Sequence, residues 1–266
     1  MIILFFISGG FIVLGDEYKE QRNGETKEKD FVIKEKRLYR RAGVKDARDI
    51  YLIACRDQLE NKPQKMSSRG FLLGDYEHHP EYLPIIEEAI YENIFYVCES
   101  KRKILGFLWG YTAKQWIRER PGMTDFRGAE IHWDNRELAK IGINDILALE
   151  NFGVVDKIAV DTSLNKKRVA FDLLKSFMKF LLEESCNYIM SEIVISIKKN
   201  GVLLPIHNYA SEKFHKKIGF RKVGESGWYR YPKSVFGEEG LFRDAVYIAS
   251  VKDMPYKYKK MIYKFY

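Results

Sequence analysis

Three consecutive cations, Lys166, Lys167 and Arg168, are the residues whose placement most invites chemistry. They open a stretch in which Val169, Leu173, Leu174, Phe177, Met178 and Leu181 recur at helical spacing. The first turn of a helix carries the positive end of the macrodipole, so each cation is misplaced there by roughly 0.3–1 kcal/mol. A polyphosphate docked on the free backbone N–H groups, with the cations alongside, offsets that cost. In a chain with 45 Lys and Arg among 266 residues such a run also arises by chance, so its position is the signal. Other chemistry-bearing types point nowhere. Cys55, Cys98 and Cys186 are odd in number, widely spaced and without a Cys-x-x-Cys pair. They read as reduced thiols of a cytoplasmic protein. His78 and His79 stand beside Glu77, but adjacent side chains rarely aim at one ion, and no metal site is expected.

The cations need a strand and a helix to position them. Gly153 to Val160 is short, apolar and β-branched, and its alternation sets Val154, Asp156, Ile158 and Val160 on one face of a mostly buried strand. Asp161 to Asn165 leaves room only for a tight strand-to-helix junction. Downstream, Tyr188 to Ile197 reads as a strand. Asn208 is a good helix N-cap, Phe214 and Ile218 are apolar at helical spacing, and Gly219 is a stop before strand-like Phe220–Val223.

These residues carry a resemblance. The stretch Val154–Leu174 is similar to motif A of the GNAT acyltransferase superfamily, an apolar strand followed by Arg/Gln-x-x-Gly-x-Gly/Ala opening a helix. Ile158-Ala-Val-Asp161 matches the strand end, and Asn165-Lys-Lys-Arg-Val-Ala170 stands in the phosphate loop. Asn165 replaces Arg/Gln and Arg168 replaces the first Gly, so the side chain at 168 must point away from a pyrophosphate. Asn208-Tyr-Ala-Ser-Glu-Lys-Phe-His-Lys-Lys-Ile-Gly-Phe220 resembles motif B, and it follows after the intervening helix and strand.

The resemblance implies a mixed α/β fold, a mostly antiparallel twisted sheet with helices on both faces. It also implies acetyl-CoA as co-substrate of an N-acetyltransferase, with no metal. The cofactor is then expected along Ile158, Ala159 and Val160, with its pyrophosphate at Asn165, Lys166, Lys167, Arg168, Val169, Ala170 and Phe171. Asn208 and His215 would line the thiol end, Ser211 would be a further cofactor contact, and the Val160 amide would polarise the thioester. An amine attacking a thioester must be neutral, and the departing thiolate takes a proton. The family often supplies that proton from a Tyr seven residues after the motif B Asn; here His215 stands there. Imidazole can donate or accept near neutral pH, although Lys213, Lys216 and Lys217 should lower its pKa. The alternatives are a solvated helix residue or a CoA contact. Asp156 ranks first as general base, then Glu192; Glu150 precedes the cofactor strand.

The rest of the chain is ordinary globular material, 46% hydrophobic and 31% charged. Met1 to Leu14 is apolar, lacks the basic start and cleavage site of a signal peptide, and is too short to span a bilayer. With the charged stretch to Lys36 it forms an N-terminal segment (1–36), and the catalytic-type domain is expected over 37–266. That domain opens with a strand at Leu38–Arg41 and a helix begun by Asp46. A second helix over Glu81–Glu92 and a hairpin of Ile94–Ser100 with Ile104–Tyr111 follow, and the Gly106–Gly110 run suits close backbone approach. Residues 112–149 read as an insertion, either a substrate-binding element or a stabilising helix pair. After about residue 224 a C-terminal extension carries a strand at Ala245–Ser250 and a basic, Tyr-rich end.

A net charge of +8 favours anionic partners, of which CoA is one. The acceptor is expected to be a small-molecule or peptide amine, in a cytoplasmic protein without stable membrane insertion. Two alternatives stay open: a non-catalytic acyl-CoA-binding or regulatory module, and an RNA-directed acetyltransferase suggested by Lys257, Lys259, Lys260 and Lys264.

Overall fold

The computed structural model describes residues 37–56, 72, 82–119, 130–146, 148–149, 151–161, 166–204, 206–230, 240–250, 254–255 and 258, with only the backbone for 117–119 and 166–167. Internal contacts divide the chain into Met1–Glu35 and Lys36–Tyr266, and every described residue lies in the second unit.

Strand β1 (Leu38–Arg41) leads through a 3-10 turn at Val44–Asp46 into helix α1 (Ala47–Arg56). Asp46 is the last residue of that turn, immediately before the helix as expected, and its Oδ2 accepts the Gly43 N–H at 2.8 Å and the Arg40 guanidinium at 2.6 Å. Helix α2 (Tyr82–Glu92) precedes the hairpin β2 (Ile94–Ser100) and β3 (Lys103–Thr112). Its turn residues Lys101 and Arg102 have φ of 48° and 63°, the double left-handed geometry that matches strand twist.

Next come α3 (Ala113–Glu119), β4 (Ile131–Trp133), α4 (Asn135–Lys140) and β5 (Phe152–Val160). Helix α5 (Lys166–Glu183), β6 (Tyr188–Lys199), β7 (Val202–Leu204) and α6 (Tyr209–Ile218) follow, then β8 (Arg221–Ser226), β9 (Tyr229–Arg230) and β10 (Gly240–Ser250).

All ten strands form one sheet in the order β1-β2-β3-β5-β6-β10-β8-β4, with β7 on β6 and β9 on β10. Every pairing is antiparallel except β5 with β6. Each face carries its own core. Residues of α1, α2, α3 and α4 (Ile50, Ile86, Trp116, Leu138) cover one, with Phe95, Trp109, Phe152 and Val246 from the sheet. Residues of α5 and α6 (Leu173, Phe177, Ile218) cover the other, with Leu108, Val155, Ile193 and Tyr247. The expected mixed, mostly antiparallel sheet flanked on both faces is what the chain forms.

Two stretches are more integral than expected. Residues 112–149 supply two short helices and an edge strand, and Trp116, Leu138, Ile141, Ile143 and Ile146 are core residues. Strand β10, in the stretch read as an extension, lies inside the sheet between β6 and β8. The anticipated close approach in β3 is present. A Cβ on Gly106 would meet the Ala159 carbonyl at 2.7 Å, and one on Gly110 the Val154 carbonyl at 2.7 Å. The three cysteines are buried, and none forms a disulfide among the described residues. Among the described residues no helix is long and apolar enough to cross a membrane, and no group of His, Cys, Asp and Glu is arranged to hold a metal.

Candidate active site

The site begins with an irregularity in β5. Along β3 the partners step from Trp109 with Lys157 to Gly110 with Val155, so Asp156 is an extra residue in a β-bulge. A bulge resets the alternation of side chains. Val154 belongs to the core on the α1 face, whereas Ile158 and Val160 pack on the α5 face. The single face expected for Val154, Asp156, Ile158 and Val160 is therefore split at Asp156.

The sheet opens at the same point. Strands β5 and β6 pair only from Phe152 with Tyr188 to Val155 with Ser191. Beyond the bulge β5 keeps β3 on one edge, while on its β6 side it has no strand partner among the described residues. The β6 edge is taken up again by β7 only at Ile197. A gap thus lies between residues 156–160 and 192–196. The Asp161 N–H donates to the Leu105 carbonyl of β3 at 2.8 Å. Backbone N–H groups alternate sides along a strand, so those of Val160 and Ile158 point into the gap.

Beyond β5, the Asp161 carboxylate is buried and meets both Arg56 Nη1 and Lys103 Nζ at 3.4 Å. It holds the strand end where the chain turns toward α5, a role the sequence did not reveal because both cations come from distant segments. Asn165 lies outside the described residues, and Lys166 and Lys167 are placed by backbone alone. Helix α5 has no acidic residue in its first turn, so its N–H groups face no carboxylate of their own. Arg168 is 76% exposed and reaches back along the helix, Nε to Asp172 Oδ2 at 3.7 Å. Val169 and Phe171 are buried, Ala170 is half-buried, and Phe171 packs on Tyr258 with ring centroids 4.9 Å apart.

Helix α6 docks on the far side of the gap. The Asn208 N–H donates to the Val194 carbonyl of β6 at 3.0 Å, and the Asn208 side chain accepts from the Ser211 N–H at 3.4 Å. Gly219 ends the helix with φ of 107°. In the first turn of α6, Glu212 accepts from Tyr247 Oη at 2.6 Å and Lys216 Nζ at 2.7 Å and lies 2.9 Å from His207 Nε2. Burial would raise its pKa, but these donors outweigh it and bring the carboxyl down to about 2.

His215 departs furthest from expectation. It is 1% exposed, wedged edge-on between Phe214 and Phe220 with centroids 5.4 and 4.9 Å away, so it is not a solvated helix residue. Burial pulls its pKa down to about 4, partly opposed by its bond to the Ser211 carbonyl. The expected lowering is present, but desolvation causes it rather than the neighbouring lysines. Nδ1 lies 2.8 Å from the Ser211 carbonyl, which can only accept, so Nδ1 carries the proton and buried Nε2 is a bare acceptor without a partner among the described residues. At neutral pH this imidazole has no proton to give into the site, and the role of general acid does not fit it.

The strand register places both carboxylates expected as bases at the end of the β5–β6 ladder. Asp156 is the bulge residue at the closed end of the gap, and Glu192 is the first β6 residue past the ladder. Asp156 is not alone: Lys157 Nζ forms an ion pair with Asp156 Oδ2 and sits 4.5 Å over the Trp109 ring. Lys157 went unread in the sequence because regular alternation puts neighbours on opposite faces.

The mixed, mostly antiparallel sheet with helices on both faces is the fold that the resemblance to the GNAT superfamily implied. No protein-family model and no curated protein sequence matches the chain. It is similar to the solved N-acetyltransferase from Staphylococcus aureus Mu50 at 17% identity, over 81% of this chain and 98% of that one, with a TM-score of 0.47. It is also similar to paia N-acetyltransferase from Thermoplasma acidophilum in complex with coenzyme A, at 11% identity over 81% and 99% with a TM-score of 0.46. A third is ribosomal-protein-alanine N-acetyltransferase from Brucella melitensis, at 14% identity over 80% and 99% with a TM-score of 0.44. At such identities and TM-scores these likenesses carry no argument about chemistry, which rests on this chain's own residues.

Proposed function

We propose that the chain is an acetyl-CoA-dependent N-acetyltransferase that transfers an acetyl group to a primary amine by direct attack on the thioester. The observation that carries this reading is the parting of β5 from β6 at the Asp156 bulge, on a strand that leads into a helix without acidic residues in its first turn. A pantetheine arm fits such a gap because the N–H groups of Ile158 and Val160 stand ready to bond it. The α5 N-terminus receives the pyrophosphate, and Asn208 and Ser211 flank the thiol end. The residues present fit the group. When bound, acetyl-CoA supplies an activated acyl carbon.

The Val160 N–H stabilises the oxyanion that forms as the amine nitrogen attacks that carbon. The C–S bond then breaks and its electron pair leaves with sulfur. Asp156, with Glu192 second, takes the proton that the amine nitrogen sheds, and the thiolate gains one from solvent. A thiol is acidic enough, with a pKa of about 8.5 for a cysteine side chain, to leave without a dedicated acid, which releases His215 from that task.

Release of CoA thiol in the presence of an amine panel is the test. Turnover with at least one amine, lost on Asp156→Asn, is expected. Absence of turnover with every amine, despite measurable CoA binding, would favour the acyl-CoA-binding module, a reading that draws on the proton-poor environment of His215.

A further inference from the structure

We propose that a cleft at the end of the sheet away from the β5–β6 gap is a second ligand site. Its ligand is a small organic carboxylate with an amide beside it and an apolar body, as in an N-acyl amino acid. The cleft has a volume of about 500 Å³, within the range of small-molecule sites. It lies where β1 and β3 end and β2 and α3 begin, and Phe180 of α5 closes one side. Thr112, in its wall, pairs with Gly153, whereas Gly106, beside the gap, pairs with Val160. The steps of β3 from 106 to 112 put about 20 Å between the two places. The inference stands apart from the acetyltransferase reading.

The first observation is a guanidinium held without a carboxylate. Arg41 Nη2 donates to the Asn93 carbonyl at 3.2 Å, and Arg41 Cζ lies 5.5 Å from the centroids of both the Tyr96 and the Phe180 rings. These contacts orient the fork and leave further N–H groups for an anion. Lys114 of α3 is exposed, with no ion-pair partner among the described residues. Glu92 is the one carboxylate of the wall among the described residues, and it too is exposed, so the wall is net positive.

The second observation is Asn93 itself. It lines the cleft at 7% exposure, yet its Oδ1 accepts from no donor among the described residues. Buried polar groups are as a rule hydrogen-bonded, so an unpaired amide in a cleft wall calls for a partner from outside. An Asn amide turns either its acceptor or its donors to the cleft by a half-turn about χ2, and a ligand amide can answer both. The Arg41 guanidinium and the Asn93 residue are already in contact, so the ligand groups that meet them must be neighbours as well. A carboxylate and an amide one carbon apart satisfy that. Tyr91, 80% exposed, and Phe180 offer rings to the apolar body. A bare anion such as inorganic phosphate meets the cations and leaves the rings uncovered.

The test is calorimetry on the full-length chain with three probes: N-benzoylglycine, its methyl ester, and 3-benzoylpropionate, in which CH2 replaces the N–H. The wild type should bind N-benzoylglycine saturably and each of the other two about fivefold or more weakly. Arg41→Gln and Lys114→Gln should each weaken N-benzoylglycine by about fivefold as well. Both positions are exposed, so the variants should unfold at temperatures near that of the wild type. Absence of N-benzoylglycine binding overturns the inference. So does equal binding of the ester, of the ketone or of inorganic phosphate, and so does an affinity unchanged in either variant. The wild-type comparison decides even where a variant fails to fold.

Discussion

His215 shows how an environment decides what a side chain can do. Its folded pKa is about 4, against about 6.5 when exposed to water, so the fold favours the neutral ring. The contribution is fully present above pH 6.5 and is lost as pH falls from there toward 4, because the unfolded chain takes up a proton first. Urea unfolding should show the wild type losing about 3 kcal/mol more than His215→Leu between pH 7 and pH 4. Equal losses would mean that the ring is solvated. None of this was legible at residue level: the lysines around position 215 suggested the right direction for the wrong reason, and the burying residues Phe214 and Phe220 look like ordinary helix and strand positions. What was legible was local. Asn208 as cap and Gly219 as stop follow from backbone chemistry within a few residues, and both stand as read.

At the scale of elements, β5 holds the site because β3 holds β5. Gly106 lets the two backbones approach, and a Cβ there would strike the Ala159 carbonyl at 2.7 Å and Val160 Cα at 3.2 Å. Gly106→Ala should lower stability by roughly 1–3 kcal/mol and weaken acetyl-CoA binding, since the displaced residues are those facing the cofactor gap. Gly201→Ala is the control. With φ of 76° and nothing within 4 Å, it should lower stability by about 1 kcal/mol through backbone strain and leave acetyl-CoA binding as it was. Thermal unfolding and calorimetry on both variants check this, and equal effects on binding would disconnect β3 from the site. The strand itself was readable from its apolar run. The bulge was not, because a period of two carries no mark of an added residue, and Lys157 was lost with it. The tightness of β3 was readable from its glycines, but the place of β4 and β10 in the sheet depends on pairings across long separations that no local pattern encodes.

At the scale of the molecule, a net charge of +8 suits the proposed ligand, whose phosphates are anionic. Acetyl-CoA affinity should weaken several-fold as salt rises from about 50 to about 500 mM, because the screening length then shrinks well below the span of the site. Affinity indifferent to salt would mean that the phosphates are held by backbone N–H groups alone. The central claim is more direct than this: the gap between β5 and β6, continued by the α5 N-terminus, is a cofactor cleft. Calorimetry of acetyl-CoA on the wild type and on Ala170→Trp tests it. Ala170 is half-buried in the first turns of α5, where an indole would fill the space the pyrophosphate needs. Micromolar binding that disappears in the variant is the result expected. A folded wild type that does not bind acetyl-CoA, or a variant that binds it equally well, would contradict the account.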